Sequence, residues 1–274
     1  MSEATTPSPV AAVTASSDPK RGRLFLVPAP LDFGCEQQAP LEEALPRATI
    51  GQAAQLSHWI CENAKSTRAY LKRVDAIQAL ATPIQAQQIT ELPREVHKKG
   101  DHGDKGASVF DARPLLAAAL QGHDMGLVSE AGMPAVADPG SSIVRAAHDL
   151  GIPVVPLVGP VSLLLALAAS GMNGQNFAFV GYLPQSVQER AQRIRELESF
   201  ALKTGQTQVF IETPYRNAAL WQALTQTLQT NTRLAMAAGL TLESAKLCSL
   251  PVKQWRQREI PVDNRTPTVF LIGR

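Results

Sequence analysis

The sequence predicts an α/β fold: two successive α/β domains with a ligand cleft between them. Three observations carry this expectation. Short β-rich apolar runs alternate with helix-compatible stretches, several loops after such runs concentrate Gly and Pro, and the pattern begins again after Gly174. Strand–loop–helix units in succession imply parallel strands joined by helical crossovers. The 274 residues are 45% hydrophobic, enough to bury a substantial core. The expected organisation is a tail over 1–21, an N-terminal α/β domain over 22–171 and a C-terminal α/β domain over 172–274.

The tail is rich in Ser, Thr, Pro and Ala and cannot bury enough apolar surface to offset its ordering entropy, so disorder is expected there. It lacks the basic start and apolar run of a secretory signal. "GRLFLVPAP" then reads as a buried first strand, opened by Gly22 and closed by Pro28 and Pro30. Residues Pro40–Lys72 are mostly helix-compatible, and Ala76–Leu92 reads as a helix and a strand. Asp111 is placed to cap a helix over Ala112–Gln121 that stops at Gly122.

"MGLVS" follows as a buried strand and "SSIVRAAHDLG" as a helix. "IPVVPLVGP" is a further strand and "VSLLLALAASG" a strongly apolar helix. In the second half, "FAFVGYL", "TQVFIET", "RLAMAAGLT" and "TVFLIGR" are four strands. Gln188–Lys203 and "NAALWQALTQTLQ" are the helices among them.

Composition excludes several classes. With 26 Lys+Arg against 24 Asp+Glu, the net charge of +2 neither demands nor excludes a nucleic-acid partner. No apolar run approaches the ~20 residues needed to span a bilayer, so a soluble, cytoplasmic protein without a membrane partner is expected. Cys35, Cys61 and Cys248 lie far apart, without the spacing of a zinc site, and read as reduced thiols. No GxGxxG or GxxxxGK[ST] motif supports a dinucleotide or triphosphate site.

In open α/β sheets, ligands sit beyond the carboxyl ends of the strands. Three loops occupy such positions: "PAPLDFG", "SEAGMPAVADPG" and "LVGPVS". Gly132, Gly140 and Gly159 permit close approach to the backbone, and Pro134, Pro139 and Pro160 stiffen the turns beside them. Rigid loops with exposed N–H and C=O groups suit a neutral or zwitterionic ligand, although ordinary turn chemistry uses the same residues. His97, Asp101, His102 and Asp104 lack the spacing of a metal site and read as a solvated loop, so no metal is expected. Ser129 and Ser162 lack the GxSxG setting of a hydrolase nucleophile. "RAQRIRELE" is basic on one helical side, which suits either a solvated face or RNA backbone contact.

The ordered array "LFLVPAP … LVSEAGMPAVADPG … IPVVPLVGPVSLLLALAASG … FVGYLP … VFIETPYRN … TPTVFLIG" resembles the tetrapyrrole methylase family, the class III methyltransferases. Within that family it is most similar to the branch of 16S ribosomal RNA cytidine 2′-O-methyltransferases. The likeness runs over Gly22–Arg274 and is strongest from Gly126 to Pro184. It implies S-adenosyl-L-methionine bound in a cleft between two α/β domains, usually in a homodimer, with ribosomal RNA or the small ribosomal subunit as partner.

Carried across by position, the resemblance implies cofactor contacts from Pro30, Ala131, Gly132, Met133, Val136, Val161 and Ser162 in the first half. Glu212, Ala238, Pro267 and Thr268 are those implied in the second. Ribose methylation needs a group that removes the hydroxyl proton. Glu130, standing where the branch has Asp, is the catalytic candidate, with loop bracing its bland alternative. Asp138 reads as an Asx-turn or helix-capping residue.

The departures bear on the acceptor. Asp32-Phe33-Gly34 replaces "GNL", and "CENAKSTR" replaces "AEDTR", keeping Glu62, Thr67 and Arg68. Ala238, Gly239 and Leu242 stand where Arg, Glu and Lys would. The resemblance therefore leaves three functions open: methylation of RNA, methylation of a tetrapyrrole or other small molecule, and a catalytically silent S-adenosylmethionine-binding protein. The low aromatic content, 5%, speaks against the wide apolar cleft a tetrapyrrole would need.

Overall fold

The structure, a computed structural model, describes residues 21–93 and 110–274. Residues 1–20 of the expected tail, and the metal alternative at His97–Asp104, lie outside them.

The first sheet contains β1 (Leu24–Val27), β2 (His58–Cys61), β3 (Gln88–Glu91), β4 (Met125–Val128) and β5 (Val154–Pro156). Its order is β3-β2-β4-β1-β5 and every pairing is parallel. Around it stand α1 (Leu41–Ala44), α2 (Arg47–Gln55), α3 (Ala64–Asp75), α4 (Ala117–Leu120) and α5 (Ser141–Asp149). Side chains alternate between the two faces, as pleating requires. Phe25 and Val27 join Ile50, Ala53, Leu71 and Val74 on one face, while Leu24 and Leu127 join Leu116, Ile143 and Ala147 on the other.

Gly126 makes room for this packing, since a Cβ there would stand 2.5 Å from the Trp59 ring. The indole N–H of Trp59 in turn donates to Gln87 Oε1 at 2.9 Å, so the buried ring leaves no polar group unmet.

β2 corrects the sequence reading, which placed helix-compatible chain there. "HWIC" is too short to show a period, and its neighbours favour helix. As a strand between β3 and β4, it is buried through Trp59, Ile60 and Cys61. The helix expected before β3 is reduced to one 3-10 turn, Ile84–Ala86. The helix expected over Ala112–Gln121 divides into a 3-10 turn, Arg113–Leu116, and α4; the Asp111 carboxylate accepts from the Arg113 N–H at its start.

The remaining helices are α6 (Ser162–Ser170), α7 (Val187–Thr204), α8 (Asn217–Thr227) and α9 (Val252–Trp255). The second sheet contains β6 (Phe177–Tyr182), β7 (Thr207–Ile211), β8 (Arg233–Ala238), β9 (Lys246–Pro251) and β10 (Thr268–Gly273), in the order β6-β7-β10-β8-β9. Only β6 and β7 run parallel; the other pairings are antiparallel. β9, at the sheet edge, is a fifth strand where the sequence suggested four.

The two faces of this sheet pack on different helices. Phe210, Leu234, Met236 and Phe270 bury against Ile194 and Leu197 of α7 and Leu220, Trp221 and Leu224 of α8. Val209, Ala235, Ala237, Val269 and Leu271 bury against Leu163, Ala166 and Leu167 of α6. Helix α6 thus precedes residue 172 in the chain yet packs on the second sheet. No helix among the described residues is long and apolar enough to cross a membrane.

Candidate functional site

A cavity of about 410 Å³ lies between the carboxyl ends of β1, β4 and β5 and one end of the second sheet. The first sheet contributes Leu31 and Phe33 after β1, Ala131–Met133 and Val136–Asp138 after β4, and Val161–Leu163 at the start of α6. The second contributes Tyr182 at the end of β6, Glu212 after β7, Ala237 and Gly239 around the end of β8, and Pro267 and Thr268 at the start of β10.

The long loop after β4 is bent by positive φ at Gly132 (73°), Ala135 (63°) and Ala137 (65°), two of them at alanines, where that region costs energy. Gly132 is held by a two-way backbone bridge to Ala29, with N···O distances of 2.9 and 3.0 Å. Its N–H and C=O are committed to the loop after β1, and it serves the site by shaping it.

Glu212 is almost fully buried. Its Oε1 accepts from the Thr213 N–H (2.7 Å) and hydroxyl (3.1 Å) and from Arg216 Nε (3.0 Å) and Nη2 (2.7 Å). Its Oε2 has no hydrogen-bond partner among the described residues. Glu212 thus stands in the cavity wall with one carboxylate oxygen bonded by four donors and the other without one among the described residues.

Asn217, fully buried at the start of α8, donates through Nδ2 to the Asp263 and Thr266 carbonyls and to Thr268 Oγ1. That fan of bonds holds the segment carrying Pro267 and Thr268 against the cavity. Sequence reasoning passed over Asn217, although "ETPYRN" placed a polar residue at an apolar helix start.

Asp138 corrects another expectation. Helix α5 begins after Gly140, without a side-chain cap, and no hydrogen bond of the described residues ends on the Asp138 carboxyl. That carboxyl lines the cavity, half-buried. Burial, reinforced by the charges of Glu62 and Glu130, pushes it up to about 7. It is thus a carboxyl able to take or give a proton near neutral pH.

A family model, Tetrapyrrole (Corrin/Porphyrin) Methylases, matches residues 64–254. The chain belongs to this family. Among tetrapyrrole methylases it is 40% identical over 132 residues to a protein named Ribosomal RNA small subunit methyltransferase I from Mesorhizobium japonicum. That match covers 48% of this chain and 44% of the relative. The protein of the same name from Halalkalibacterium halodurans is 30% identical over 198 residues, covering 72% and 57%. The chain spans about half the length of the curated relatives it matches.

Two solved methyltransferases share the fold at low identity. The methyltransferase CobJ has a TM-score of 0.53 at 15% identity, covering 92% of this chain and 94% of that one. Uroporphyrin-III-C-methyltransferase from Thermus thermophilus has a TM-score of 0.51 at 16% identity, covering 92% and 94%.

Of the residues carried over from the family resemblance, Ala131, Gly132, Met133, Val136, Val161, Ser162, Glu212, Pro267 and Thr268 line the cavity. Three do not. Ala238 points to the opposite face of the second sheet, among Leu234, Met236 and Phe270, and its neighbours Ala237 and Gly239 line the cavity instead. Strand alternation puts adjacent residues of β8 on opposite faces of the sheet.

Pro30 and Glu130 are the other two. Both line an adjoining cavity of about 490 Å³ between the β1 loop, α3 and the end of β4, which meets the first at Phe33 and Gly34. The Glu130 N–H donates to Glu62 Oε1 at 3.4 Å. Beside them, Asp32 is 3% exposed and bound twice by Arg73, at 3.0 and 2.9 Å. Among the described residues, no group of three or more His, Cys, Asp or Glu is arranged to hold a metal ion.

Proposed function

We propose that this chain is a methyltransferase that binds S-adenosyl-L-methionine between its two sheets and methylates ribose 2′-hydroxyls of small-subunit ribosomal RNA. The observation that carries the reading is the unpaired Glu212 Oε2 in the wall of a cavity built by strand ends of both sheets. A buried carboxylate oxygen without a donor costs free energy until a ligand supplies one. An adenosine carries suitable donors in its amino group and ribose hydroxyls. Names of relatives at 30–40% identity support RNA as the acceptor.

When bound, the cofactor supplies an electrophilic methyl group with a good leaving group. The chain must position the acceptor and remove its proton. Asp138 fits the proton-accepting role better than Glu130, because it lines the cofactor cavity and titrates near neutrality. Glu130, across the seam, fits the acceptor side.

A homodimer in the cytoplasm completes the proposal. Leu164 and Leu165 stand exposed on α6, with Val158 just before it, an apolar surface suited to a second copy. The three cysteines form no disulfide, as a reducing compartment would require.

The test is calorimetric titration with S-adenosylmethionine and S-adenosylhomocysteine, followed by transfer of labelled methyl to unmodified small-subunit RNA. Saturable binding and 2′-O-methyl product support the reading. Binding without transfer to RNA leaves a silent binder or another acceptor, and no binding removes the cofactor assignment.

A further inference from the structure

Two residues that line the adjoining cavity carry buried hydroxyls without hydrogen-bond partners among the described residues. Tyr70 is 6% exposed and Ser129 is 5% exposed, both line this cavity, and neither Tyr70 Oη nor Ser129 Oγ has a hydrogen-bond partner among the described residues. Two such groups on residues lining one cavity point to a ligand that supplies the missing bonds.

The charges around them narrow its chemistry. The half-buried Arg73 guanidinium gives three of its five N–H groups to Asp32 and the Ala39 carbonyl, and the Asp32 carboxylate offsets its charge, so it adds little attraction for an anion. At the start of α3, the side-chain oxygen Asn63 Oδ1 already accepts from the Lys65 and Ser66 N–H groups. Glu130 adds a negative charge to the wall. An anion is therefore disfavoured in the interior, and a purely apolar ligand would leave both hydroxyls unmet. At the rim the signs reverse. Lys65 and Lys72 are exposed and make no ion pair among the described residues. A neutral hydrogen-bonding group inside and phosphates outside describe one residue of a single-stranded polynucleotide.

We propose that this second cavity receives one nucleoside of the acceptor RNA, turned out of its stack, with Tyr70 and Ser129 bonding its base or sugar and Lys65 and Lys72 holding the flanking phosphates. The assignment rests on the methyltransferase reading above. The seam at Phe33 and Gly34 lets the sugar of that nucleoside face the first cavity.

Fluorescence anisotropy of a short labelled single-stranded RNA of mixed sequence, with S-adenosylhomocysteine at saturation, tests it. Tyr70→Phe and Ser129→Ala should each weaken RNA binding about five- to tenfold. Their melting temperatures should equal or exceed that of the parent, because neither hydroxyl contributes a bond to the free protein. Lys65→Ala/Lys72→Ala should weaken binding and flatten its salt dependence. Parental affinity in both hydroxyl variants would overturn the pocket, whether or not the lysine variant weakens, and so would an absence of RNA binding by the parent. S-adenosylhomocysteine binding, titrated without RNA, reads the cofactor assignment separately.

Discussion

Ala29 and Gly132 exchange both backbone hydrogen bonds, at 2.9 and 3.0 Å, so the loops leaving β1 and β4 are one unit. Gly132 makes that bridge at φ 73°, and a Cβ there would stand 3.3 Å from Leu31 Cδ2 and 3.6 Å from the Pro160 carbonyl oxygen. Gly132→Ala should cost about 1–2 kcal/mol through left-handed strain. Thermal denaturation should show a fall of a few degrees. Titration with S-adenosylhomocysteine should show weaker binding, since Ala131 and Met133 move with the loop. Unchanged stability and affinity would mean that the loop relaxes freely.

With Asp138 as the proposed proton acceptor, stability and activity should depend oppositely on pH. The folded carboxyl holds its proton up to about 7, whereas an unfolded aspartate releases it near ~3.9. Between those values the folded state binds more protons, so this group's contribution to stability declines as pH rises across the window. Asp138→Asn should therefore raise the melting temperature at pH 8, by roughly 2–4 kcal/mol in stability, and change it little near pH 4. As the proton acceptor, the same residue should give a methyl-transfer rate that rises through about pH 7. Asp138→Asn should slow transfer about 10²–10⁴-fold and remove that rise. A parental pH–rate profile in the variant would reassign the base.

Glu212 and Arg216 separate binding from folding. The Glu212 side chain is 1% exposed and its Oε1 rests on Arg216 at 2.7 Å. Arg216→Ala strands a buried carboxylate and should cost about 3–5 kcal/mol by urea denaturation. Glu212→Gln keeps the shape but turns a neutral amide toward the cavity. It should weaken S-adenosylhomocysteine binding about tenfold or more. Equal affinity in that variant would remove Glu212 from the ligand.

Asp32 and Arg73 form a second buried pair among the described residues, and the cost of breaking it is asymmetric. Arg73→Ala should destabilise by about 3–5 kcal/mol because Asp32 is left charged and unpaired. Replacing both, as Asp32→Asn/Arg73→Met, should recover much of that loss in a double-mutant cycle. A double variant as unstable as Arg73→Ala would assign the loss to packing of the arginine stem.

The exposed apolar residues of α6 predict assembly. Leu164→Glu/Leu165→Glu should shift sedimentation from dimer to monomer while leaving the fold intact, because both side chains already face outward. A parent that sediments as a monomer would refute the proposed dimer.

Much of this molecule was determined by its sequence alone. The alternation of strand and helix, the chain order of the loops around the cavity and the family likeness of "LVSEAGMPAVADPG" are local properties, carried by short apolar runs and Gly/Pro punctuation. Tertiary structure decided the rest. β2 became a strand because the first sheet needed a partner between β3 and β4, against the helical leaning of its neighbours. Ala237 rather than Ala238 faces the cavity because register against β10 sets which side each residue takes. Glu130 and Asp138, eight residues apart in one loop, line different cavities because two alanines at positive φ and the bridge to Ala29 bend the chain between and around them. The proton affinity of Asp138 follows from burial and from its carboxylate neighbours, and those are created only when the loops after β2 and β4 come together.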